Sequence, residues 1–481
     1  MSMKENDLYD NIQLLFKRDE IKIVKDTSGI LYGLLRGSHG IFKAYPMTTN
    51  EFKVAFKKVY LNYFNDLLST QAVLSICEML EVMAVDNAET VETCKRIYNN
   101  NGQYAYELNA EDGTVVWIED GEISIEQIEG ILFKHSVNYA NQVTPDFNVE
   151  HTELLSYIEK HFHLGSDKEI KLFALFLVTC LWGLEINHPL LVITGEKGSS
   201  KSTTLRKIEK LIDPKSSDLG GISKGADGLE LKLANSYFVS LDNLSSLSRR
   251  ISDTLAVAIT GGSVNKRALY KNTDEIVFNI KAVVAINGVS LVARESDLLD
   301  RSLIITLKRL SSKEIITEEE LWEEFEKDRP AILGCCFQVL AIALNDSEPI
   351  ETEEKIRMAD FHVACIKVGR ALGIPENEVT DILWTNQKNI NKHTLDEDPV
   401  SLCVIELMSK RGTYTNSMSH LLCDLQDIAI ENGMPFRILP KTPNHLRMRL
   451  DKVQSNLQSE CGITFTVKNV GAFKQIRIVK K

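Results

Sequence analysis

The spacing of the hydrophobic positions changes several times along the 481 residues, and each change predicts a different kind of structure. Residues 1–145 mix short strand-like runs, such as 20–24 and 103–108, with stretches of helical spacing, such as 51–64. Alternation over four to eight residues is typical of half-buried strands, and a period near 3.6 is typical of amphipathic helices. We therefore predict an N-terminal α+β domain over 1–145, for which the sequence indicates no particular chemistry.

Uniformly apolar runs replace this mixture between residues 146 and 310. Three of them, at 190–194, 237–241 and 282–286, are separated by helical segments. Strands that are buried on both faces have this pattern in sheets covered by helices on both sides. We predict an α/β domain over 146–310.

The rest of the chain predicts two largely helical units. Residues 311–395 have helical spacing throughout, and the polar segment 391–400 is predicted to be a linker. The segment 396–481 predicts three helices and then two strands, at 400–409, 418–432, 444–459, 463–467 and 474–479. Three helices followed by a hairpin are typical of a winged helix, which binds duplex DNA or, as the alternative, docks a protein.

Composition is that of a folded protein, with 44% hydrophobic and 25% charged residues, and it excludes disordered and collagen-like chains. The longest apolar run, 173–184, is shorter than the about 20 residues that cross a bilayer. The first residues do not resemble a secretion signal, so we expect a cytoplasmic protein without a membrane partner. The nine cysteines include no CxxC pair that would indicate a zinc site.

Charge is distributed unevenly along the chain. The net charge is −12, which by itself argues against nucleic acid as a partner. Residues 401–481, however, contain twelve Lys and Arg against six Asp and Glu, which gives +6 and leaves −18 to the first 400 residues. The C-terminal segment is therefore a separate, basic unit, as a DNA-binding domain would be.

The strongest chemical signal follows the apolar run at 190–194. The sequence LLVITGEKGSSKST places a glycine-containing loop between this predicted strand and an amphipathic helix. Loop N–H groups and a helix N-terminus direct positive charge at phosphates, Lys201 adds a full charge, and the Ser202 hydroxyl can ligate Mg²⁺. Ser200 replaces the usual glycine, and Gly198 is the alternative flexible position. We predict nucleotide contacts by Gly195, Glu196, Lys197, Gly198, Ser199, Ser200, Lys201, Ser202 and Thr203.

The next two apolar runs end in side chains that suit phosphate chemistry. Asp242 follows the first of them and is predicted to ligate Mg²⁺ together with the loop serine, a helix cap being its alternative role. Asn243 stands where a second acid usually orients water, so the general base stays open between Glu196 and Glu230, and Asn243 could position water without accepting a proton. Asn287 ends the next run, where its amide could hold water.

Arg301 lies fourteen residues beyond Asn287, in the sequence SDLLDRSL. A guanidinium keeps its charge at all relevant pH values and would stabilise a phosphoryl-transfer transition state if a neighbouring subunit supplied it. The alternative role for Arg301 is an ion pair with Asp297 or Asp300.

A basic hairpin is predicted between the second and third apolar runs. In NKRALYKNTDEIVFNI, two β-prone pieces at 267–270 and 276–280 flank a polar turn at 271–274. A hairpin in a ring pore could contact phosphates, and the alternative is a packing hairpin with solvated lysines. DNA contacts are predicted here at Lys266, Arg267 and Lys271. Others are predicted in the C-terminal segment at Arg447, Arg449 and Lys468.

Together, the motifs GEKGSSKST, SLDN, NKRALYKNTDEIVFNI, AIN and DLLDR resemble those of AAA+ ATPases of the pre-sensor-1 β-hairpin clade. Within that clade the chain is most similar to the minichromosome-maintenance-like replicative helicases and initiators of bacterial mobile elements and phages. The resemblance is specific over about 185–310 and extends into the helical region through IRMADF at 356–361. For the winged helix it is architectural only.

The resemblance implies a P-loop AAA+ core with a helical lid, placed between the N-terminal α+β domain and the C-terminal winged helix. It implies ATP and Mg²⁺ as cofactors, a homo-oligomer that is a hexameric ring, and DNA as partner, single-stranded in the pore and duplex at the winged helix. Carried over by position, it assigns phosphate and Mg²⁺ to Lys201 and Ser202, the Mg²⁺ acid to Asp242, the first sensor to Asn287, the trans finger to Arg301 and the hairpin's DNA contact to Lys271.

The function that follows is an ATP-dependent DNA helicase or replication initiator. Ser200 and Asn243 depart from the AAA+ pattern, and these departures concern the rate of hydrolysis more than nucleotide binding. The alternative function is therefore a nucleotide-dependent scaffold, loader or defence sensor that hydrolyses ATP poorly.

Overall fold

Helices and strands alternate in a mixed α/β architecture that contains a parallel sheet. The computed structural model describes residues 5–27, 29–37, 39–109, 111–135, 138–221, 225–244, 247–267, 275–288, 296–311, 314–352, 355–470 and 473–480. Within these ranges, no helix is both long and apolar enough to span a bilayer.

The N-terminal part of the chain has two four-stranded sheets and three helices. Its helices are α1 (Glu5–Lys17), α2 (Asn50–Phe64) and α3 (Thr70–Asn87). Its strands are β1 (Ile21–Asp26), β2 (Leu31–Arg36), β3 (Phe42–Pro46), β4 (Glu89–Val91), β5 (Thr93–Cys94), β6 (Ile97–Asn100), β7 (Gln103–Asn109), β8 (Thr114–Glu119), β9 (Glu122–Gln127) and β10 (Leu132–Phe133). The four-stranded sheets have the orders β3-β2-β1-β4 and β6-β7-β8-β9, in agreement with the predicted α+β character.

The middle of the chain contains the parallel sheet. Its helices are α4 (Leu154–His161), α5 (Asp167–Cys180), α6 (Lys201–Ile212), α7 (Gly225–Asn235), α8 (Arg249–Thr260) and α9 (Ser296–Leu299). Its strands are β11 (Leu190–Thr194), β12 (Phe238–Leu244), β13 (Gly262–Arg267), β14 (Glu275–Ile280), β15 (Val283–Gly288) and β16 (Ser302–Thr306). The sheet order is β12-β15-β11-β16, and the three apolar runs form its strands β11, β12 and β15, as predicted.

The parallel register brings the carboxyl ends of these strands to one edge of the sheet. Thr194 at the end of β11 is paired with Thr306 at the end of β16, and Asn287 lies opposite Ile193. Every residue of β15 is buried, because strands lie on both of its sides and helices cover the sheet. Polar side chains that follow these apolar strands are therefore gathered at a single edge.

The predicted hairpin is confirmed, but its first strand lies earlier than expected. β13 and β14 pair antiparallel from Gly262 with Ile280 to Arg267 with Glu275. β13 begins at Gly262 because Gly261, at φ 80°, ends α8 and leads the chain directly into the strand, and residues 268–270 of the predicted piece lie outside the described residues. The turn that contains Lys271 lies outside the described residues.

The predicted linker at 391–400 is wrong, because helix continues almost through it. The helices that follow the parallel-sheet unit are α10 (Glu318–Asn345), α11 (Ala359–Ala371), α12 (Glu376–Glu397) and α13 (Pro399–Lys410). Only Asp398 separates α12 from α13, and its buried carboxylate caps α13 by accepting the Ser401 N–H at 2.8 Å. It also pairs with Arg449 at 2.6 Å. Polar residues here serve a helix cap and an ion pair instead of solvating a flexible segment.

The C-terminal unit has a hydrophobic cluster of its own. Besides α13 it contains β17 (Thr413–Ser417), α14 (Met418–Glu431), α15 (Pro443–Cys461), β18 (Ile463–Val470) and β19 (Phe473–Lys480). The predicted helices and two final strands are present, and β17 is a strand that the sequence pattern missed. It extends the hairpin to a three-stranded sheet of order β17-β19-β18, which its short, polar sequence did not indicate.

Hydrophobic contacts cross the domain boundary that the sequence predicts near residue 145. Tyr104 and Tyr106 of β7 belong to the same buried cluster as Phe173 of α5 and Leu191 of β11. The ring of Tyr106 also packs edge-on against Phe337 of α10, at 5.2 Å between ring centres. The β6–β9 sheet therefore packs directly on the helices of the parallel-sheet unit.

A buried arginine fixes this packing electrostatically. The Arg96 side chain, which is 1% exposed, donates from Nε to Asp213 Oδ1 at 3.1 Å and from Nη2 to the Ala140 carbonyl at 2.9 Å. Its guanidinium lies 4.0 Å from the centre of the Tyr139 ring. Arg96 itself has φ 53°, a left-handed conformation that these contacts must stabilise.

We expect Arg96→Ala to lower the free energy of unfolding by about 3 kcal/mol, because it removes the cation that is hydrogen-bonded to the buried Asp213 carboxylate and leaves only Lys215, at 3.9 Å, near that charge. Urea denaturation would measure the loss. The control is Lys168→Ala, which removes a pair with Asp381 whose two side chains are more than half exposed, and should leave the midpoint unchanged. Equal midpoint shifts in the two variants would contradict the assignment.

Candidate functional site

The loop after β11 takes its shape from three residues with positive φ. Gly195, Gly198 and Ser200 have φ values of 145°, 81° and 59°. A Cβ on Gly195 would lie 2.9 Å from the Leu307 carbonyl oxygen, so no larger residue fits there without movement. Gly198, the predicted alternative to the missing glycine, has a positive φ that favours glycine. Ser200 nevertheless adopts the left-handed conformation that favours the usual glycine, at some cost in backbone strain.

The Lys201 ammonium group lies against this loop. Its Nζ donates to the carbonyl oxygens of Gly195 at 2.8 Å and Glu196 at 2.7 Å. Partial burial lowers the pKa of Lys201 from its ordinary value. Ser200 makes no side-chain hydrogen bond to the first turn of α6. Positive charge from the ammonium and from the N-terminus of α6 is therefore concentrated beside the loop.

A hydrogen-bonded cluster joins the loop helix to two strands of the sheet. The Ser202 hydroxyl donates to Asp242 Oδ1 at 2.7 Å, and Asn287 Nδ2 donates to the same oxygen at 2.7 Å. Ser202 is the second residue of α6, Asp242 lies near the end of β12 and Asn287 lies near the end of β15. The structure thus brings together three of the predicted site residues, and Asp242 accepts hydrogen bonds here instead of capping a helix.

Asn243 takes part through its backbone. It has φ 54°, and its N–H donates to Asn287 Oδ1 at 2.6 Å, while its side chain is exposed. Asn287, which is 1% exposed, therefore holds both Asp242 and the backbone of the following residue. The amide is fixed in one orientation because Nδ2 must donate and Oδ1 must accept.

Neither candidate for the general base belongs to this cluster by its observed contacts. Glu196 is exposed and lies 3.5 Å from Arg309, beyond β16. Glu230 is buried on α7, and its Oε1 lies 3.8 Å from Arg250 on α8. Each carboxylate is close to a cation of its own, and the identity of the base stays open.

The other predicted loop residues have less specific surroundings. The Ser199 hydroxyl donates to the Glu196 carbonyl at 2.9 Å and stabilises the turn of the loop. Lys197 is exposed, and Thr203 is half-buried in the first turn of α6.

Arg301 lies at the opposite edge of the sheet from the loop. Its carbonyl oxygen accepts the N–H of Leu190, the first residue of β11, at 2.9 Å. Its guanidinium pairs with Asp297 at 2.8 Å, which is the ion pair considered as the alternative. Arg357, in the IRMADF segment at 356–361, pairs with both Asp297, at 2.7 Å, and Asp300, at 3.1 Å. The sequence pattern did not indicate a role for this residue. Sequence spacing could not have revealed this contact because it joins residues almost sixty positions apart.

Two of the predicted DNA contacts in the C-terminal unit form ion pairs within the chain, and a third is exposed. Arg447 pairs with Asp451 at 2.8 Å, and Arg449 pairs with the buried Asp398. Both carboxylates reduce the positive charge that these arginines present on α15. Lys468 is exposed on β18.

The remaining predicted contacts lie in the pre-strand hairpin. Lys266 and Arg267 lie at the end of β13, and Lys271 lies outside the described residues. Arg477 is exposed on β19 opposite Thr466, two residues from Lys468 along the neighbouring strand.

Two protein-family models match the chain. The model of the actinomycete integrative conjugative element replication protein, RepA, matches residues 161–380, and the model of the RepA C-terminal domain matches residues 400–481. The first range contains the loop, the cluster and Arg301. The similarity supports a replication-associated protein of a mobile element. No curated protein matches the chain.

Solved structures of the NrS-1 C-terminal region are similar over nearly the whole length. An apo structure has a TM-score of 0.41 at 14% identity and covers 99% of this chain and 100% of that chain. An A-form apo structure has a TM-score of 0.41 at 14% identity, with 98% of each chain covered. Scores at this level do not establish a shared fold.

The cluster predicts a pH-dependent effect of Asn287→Asp. A second carboxylate would lie about 2.7 Å from Asp242, so one member of the pair would have a raised pKa in the folded state. The penalty is absent below about pH 4, where the folded and unfolded states both hold the proton, grows as pH rises towards the raised pKa, and is constant above it. We expect an additional loss of at least about 1.4 kcal/mol between about pH 5 and pH 8.

Denaturation midpoints of the variant and the wild type at the two pH values would measure this loss. The matched control is Asn287→Ala, which removes the amide without adding a carboxylate and should cost the same stability at both pH values. A loss in Asn287→Asp that does not change with pH would contradict the geometry of the cluster.

Proposed function

We propose that this protein, which is similar to RepA replication proteins of mobile elements in two segments, is a ring-forming ATPase that acts on DNA as a helicase or replication initiator. The observation that supports this most is the cluster in which the Ser202 hydroxyl and the Asn287 amide converge on Asp242. Ser202 follows the loop whose Gly195 carbonyl accepts a hydrogen bond from the Lys201 ammonium, so the cluster and this ammonium are neighbours.

The donor set fits a nucleotide with its Mg²⁺. Hydroxyl and carboxylate oxygens are ligands that Mg²⁺ prefers. Ser202 and Asp242 offer one of each, and their oxygens lie 2.7 Å apart. An ammonium and the start of a 12-residue helix suit phosphate oxygens. Bound Mg²⁺–ATP would supply the phosphoryl group for transfer to water.

The chain's own residues would act mainly by position and charge. Lys201 would exchange its two loop carbonyls for phosphate oxygens and neutralise their charge. Asn287 would keep the Asp242 carboxylate oriented, since its amide donates to that carboxylate and accepts the N–H of Asn243. This arrangement would hold the Asp242 carboxylate in one orientation, as a metal ligand requires.

The position of Arg301 favours action between subunits. Arg301 precedes the five-residue strand β16, whose other end reaches the loop edge, a separation of about 16 Å along the strand. We use "amino edge" for the end of the sheet where its parallel strands begin and "carboxyl edge" for the end where they finish. A guanidinium at the amino edge is too far from the loop of its own chain and would serve the nucleotide of a neighbour. The ion pair with Asp297 holds it at 2.8 Å until then. We therefore propose a homo-oligomeric ring, most simply a hexamer.

DNA would be bound at two places. The β13–β14 hairpin, with Lys266, Arg267 and Lys271, would contact single-stranded DNA in the pore. The C-terminal unit, proposed to be a winged helix, would bind duplex through exposed cations such as Lys468 and Arg477. Arg447 and Arg449 would contribute less, because Asp451 and Asp398 already neutralise them.

We expect Lys201→Ala to lower ATP turnover at least about 100-fold without changing the unfolding midpoint, because it removes the charge that faces the phosphates. A phosphate-release assay with and without single-stranded DNA measures turnover. The matched control is Lys210→Ala on the same helix, which removes a pair with Glu326 at 2.8 Å and a cation–π contact with Trp322 but no charge beside the loop. Turnover that survives Lys201→Ala would place the nucleotide site elsewhere. ATP binding without turnover in the wild type would favour the scaffold or loader.

Mixing two inactive variants tests the role of Arg301. Lys201→Ala and Arg301→Ala should each abolish turnover, but their equal mixture should recover about a quarter of it, because randomly mixed rings contain interfaces with an intact lysine facing an intact arginine. The measurement is turnover after the two variants are mixed and reassembled, with each variant alone as the control. A mixture as inactive as its components would show that Arg301 does not act in trans.

A further inference from the structure

A lysine of the N-terminal part of the chain ends among three backbone carbonyls of the parallel-sheet unit. Lys95 Nζ donates to the carbonyl oxygens of Leu233 at 2.8 Å, Lys281 at 2.9 Å and Ser236 at 3.3 Å. An ammonium group has three N–H donors and no acceptor, so these contacts use all of its hydrogen-bonding capacity. Nothing in the proposed ATPase chemistry uses this lysine.

The three carbonyls belong to the junction that carries the hairpin. Lys281 directly follows the hairpin strand β14 and precedes β15 by two positions. Leu233 lies in the last turn of α7, where the helix dipole is negative, and Ser236 lies between α7 and β12. The Lys95 side chain thus holds the base of the hairpin, the end of a helix and the approach to the edge strand β12.

The same junction is closed by backbone hydrogen bonds. The N–H of Ala282 donates to the Ala258 carbonyl at 3.2 Å, and the N–H of Val283 donates to the Tyr237 carbonyl at 3.0 Å. If the Lys95 ammonium were removed, carbonyls at this junction would lose a charged donor, which is costly where water does not replace it. These two amides would then exchange with solvent more readily.

The segment that carries Lys95 is itself held in place by the neighbouring residue. Lys95 is followed by Arg96, whose buried ion pair with Asp213 joins the same N-terminal segment to the end of α6. Burial lowers the pKa of Lys95 to about 7, whereas the three carbonyls favour its protonated form. The two consecutive cations fasten the N-terminal segment to the sheet unit at two separate points.

We propose that Lys95 is a positioning residue that fastens the base of the β13–β14 hairpin, so that a load on the hairpin is transmitted through β15 to Asn287. β15 begins two residues after Lys281, is buried along its whole length and ends beside the Asp242 cluster. A short strand that pairs with neighbours on both sides is stiff, so a shift at its start moves its end. This inference rests on the proposed function, because it assumes that the hairpin contacts DNA and that the cluster serves ATP hydrolysis.

The test is Lys95→Met, which keeps an unbranched side chain of similar length and removes all three donors. Hydrogen exchange at Ala282 and Val283 should accelerate about tenfold, as expected for loss of about one hydrogen bond's free energy. Stimulation of ATP turnover by single-stranded DNA should fall at least about fivefold, while turnover without DNA stays within about twofold of wild type. The full-length protein is used for both measurements.

The matched control is Lys134→Met. Lys134 is a half-buried lysine of the same region whose ion-pair partner is Asp26 of the N-terminal sheet, at 2.7 Å, and its charge helps to lower the pKa of Lys95. Its removal favours the Lys95 ammonium, so exchange at the hairpin base should not accelerate and DNA stimulation should not fall, even if overall stability is lower. A structural defect without a coupling role would affect turnover with and without DNA to the same extent, in either variant.

Two results would overturn the proposal. Unchanged exchange at Ala282 and Val283 in Lys95→Met would show that the lysine does not hold the hairpin base. Faster exchange with full DNA stimulation would show that the base does not transmit load to the cluster. A wild-type protein without ATP turnover would refute the proposed function and the coupling with it, but the exchange measurement would still decide whether Lys95 is the anchor.

Discussion

The parallel register of the central sheet is the constraint on which the candidate site depends. Because β11, β12 and β15 run in the same direction and end together, the loop helix, Asp242 and Asn287 meet at one edge. Asp242 Oδ1 accepts hydrogen bonds from Ser202 and Asn287, each 2.7 Å long. A slip of one residue would turn these side chains to the opposite face and separate the cluster. The apolar residues that bury the strands therefore also determine the positions of the polar ones.

The two edges of this sheet have different roles in the proposed function. The carboxyl edge holds the loop and the cluster, whereas the amino edge holds Arg301 and the base of the hairpin. β15 connects the two edges within one strand. In the proposed ring, the amino edge of one subunit would face the carboxyl edge of the next. Nucleotide hydrolysis and DNA binding would then be coupled through short, rigid elements such as β15. Lys95 and Arg96 attach the N-terminal segment to this arrangement at the amino edge and at the end of α6.

The two departures from the AAA+ pattern share a structural property. Ser200 has φ 59° and Asn243 has φ 54°, so both occupy the left-handed region. Asparagine tolerates this region better than most residues, and the Asn243 N–H is held by Asn287. Serine has no such advantage, so the loop keeps its glycine-like shape at a cost in strain that surrounding contacts must offset. Both positions therefore have a backbone conformation that glycine would adopt without strain.

The sequence by itself determined β11, β12 and β15 of the parallel sheet but not β16, together with the loop and helix after β11, the hairpin and the helices of the C-terminal unit, because local hydrophobic spacing and turn residues encode them. It also indicated Lys201, Ser202, Asp242 and Asn287 as site residues, since each follows an apolar strand or starts a helix. Only the tertiary structure decided which partners they have, that residues 391–397 continue a helix, and that Asp398 pairs with Arg449. It alone revealed Arg357 beside Asp297 and Lys95 beneath the hairpin. These contacts join residues 50 to almost 190 positions apart, and such pairings are decided by packing of whole elements, which no local pattern records.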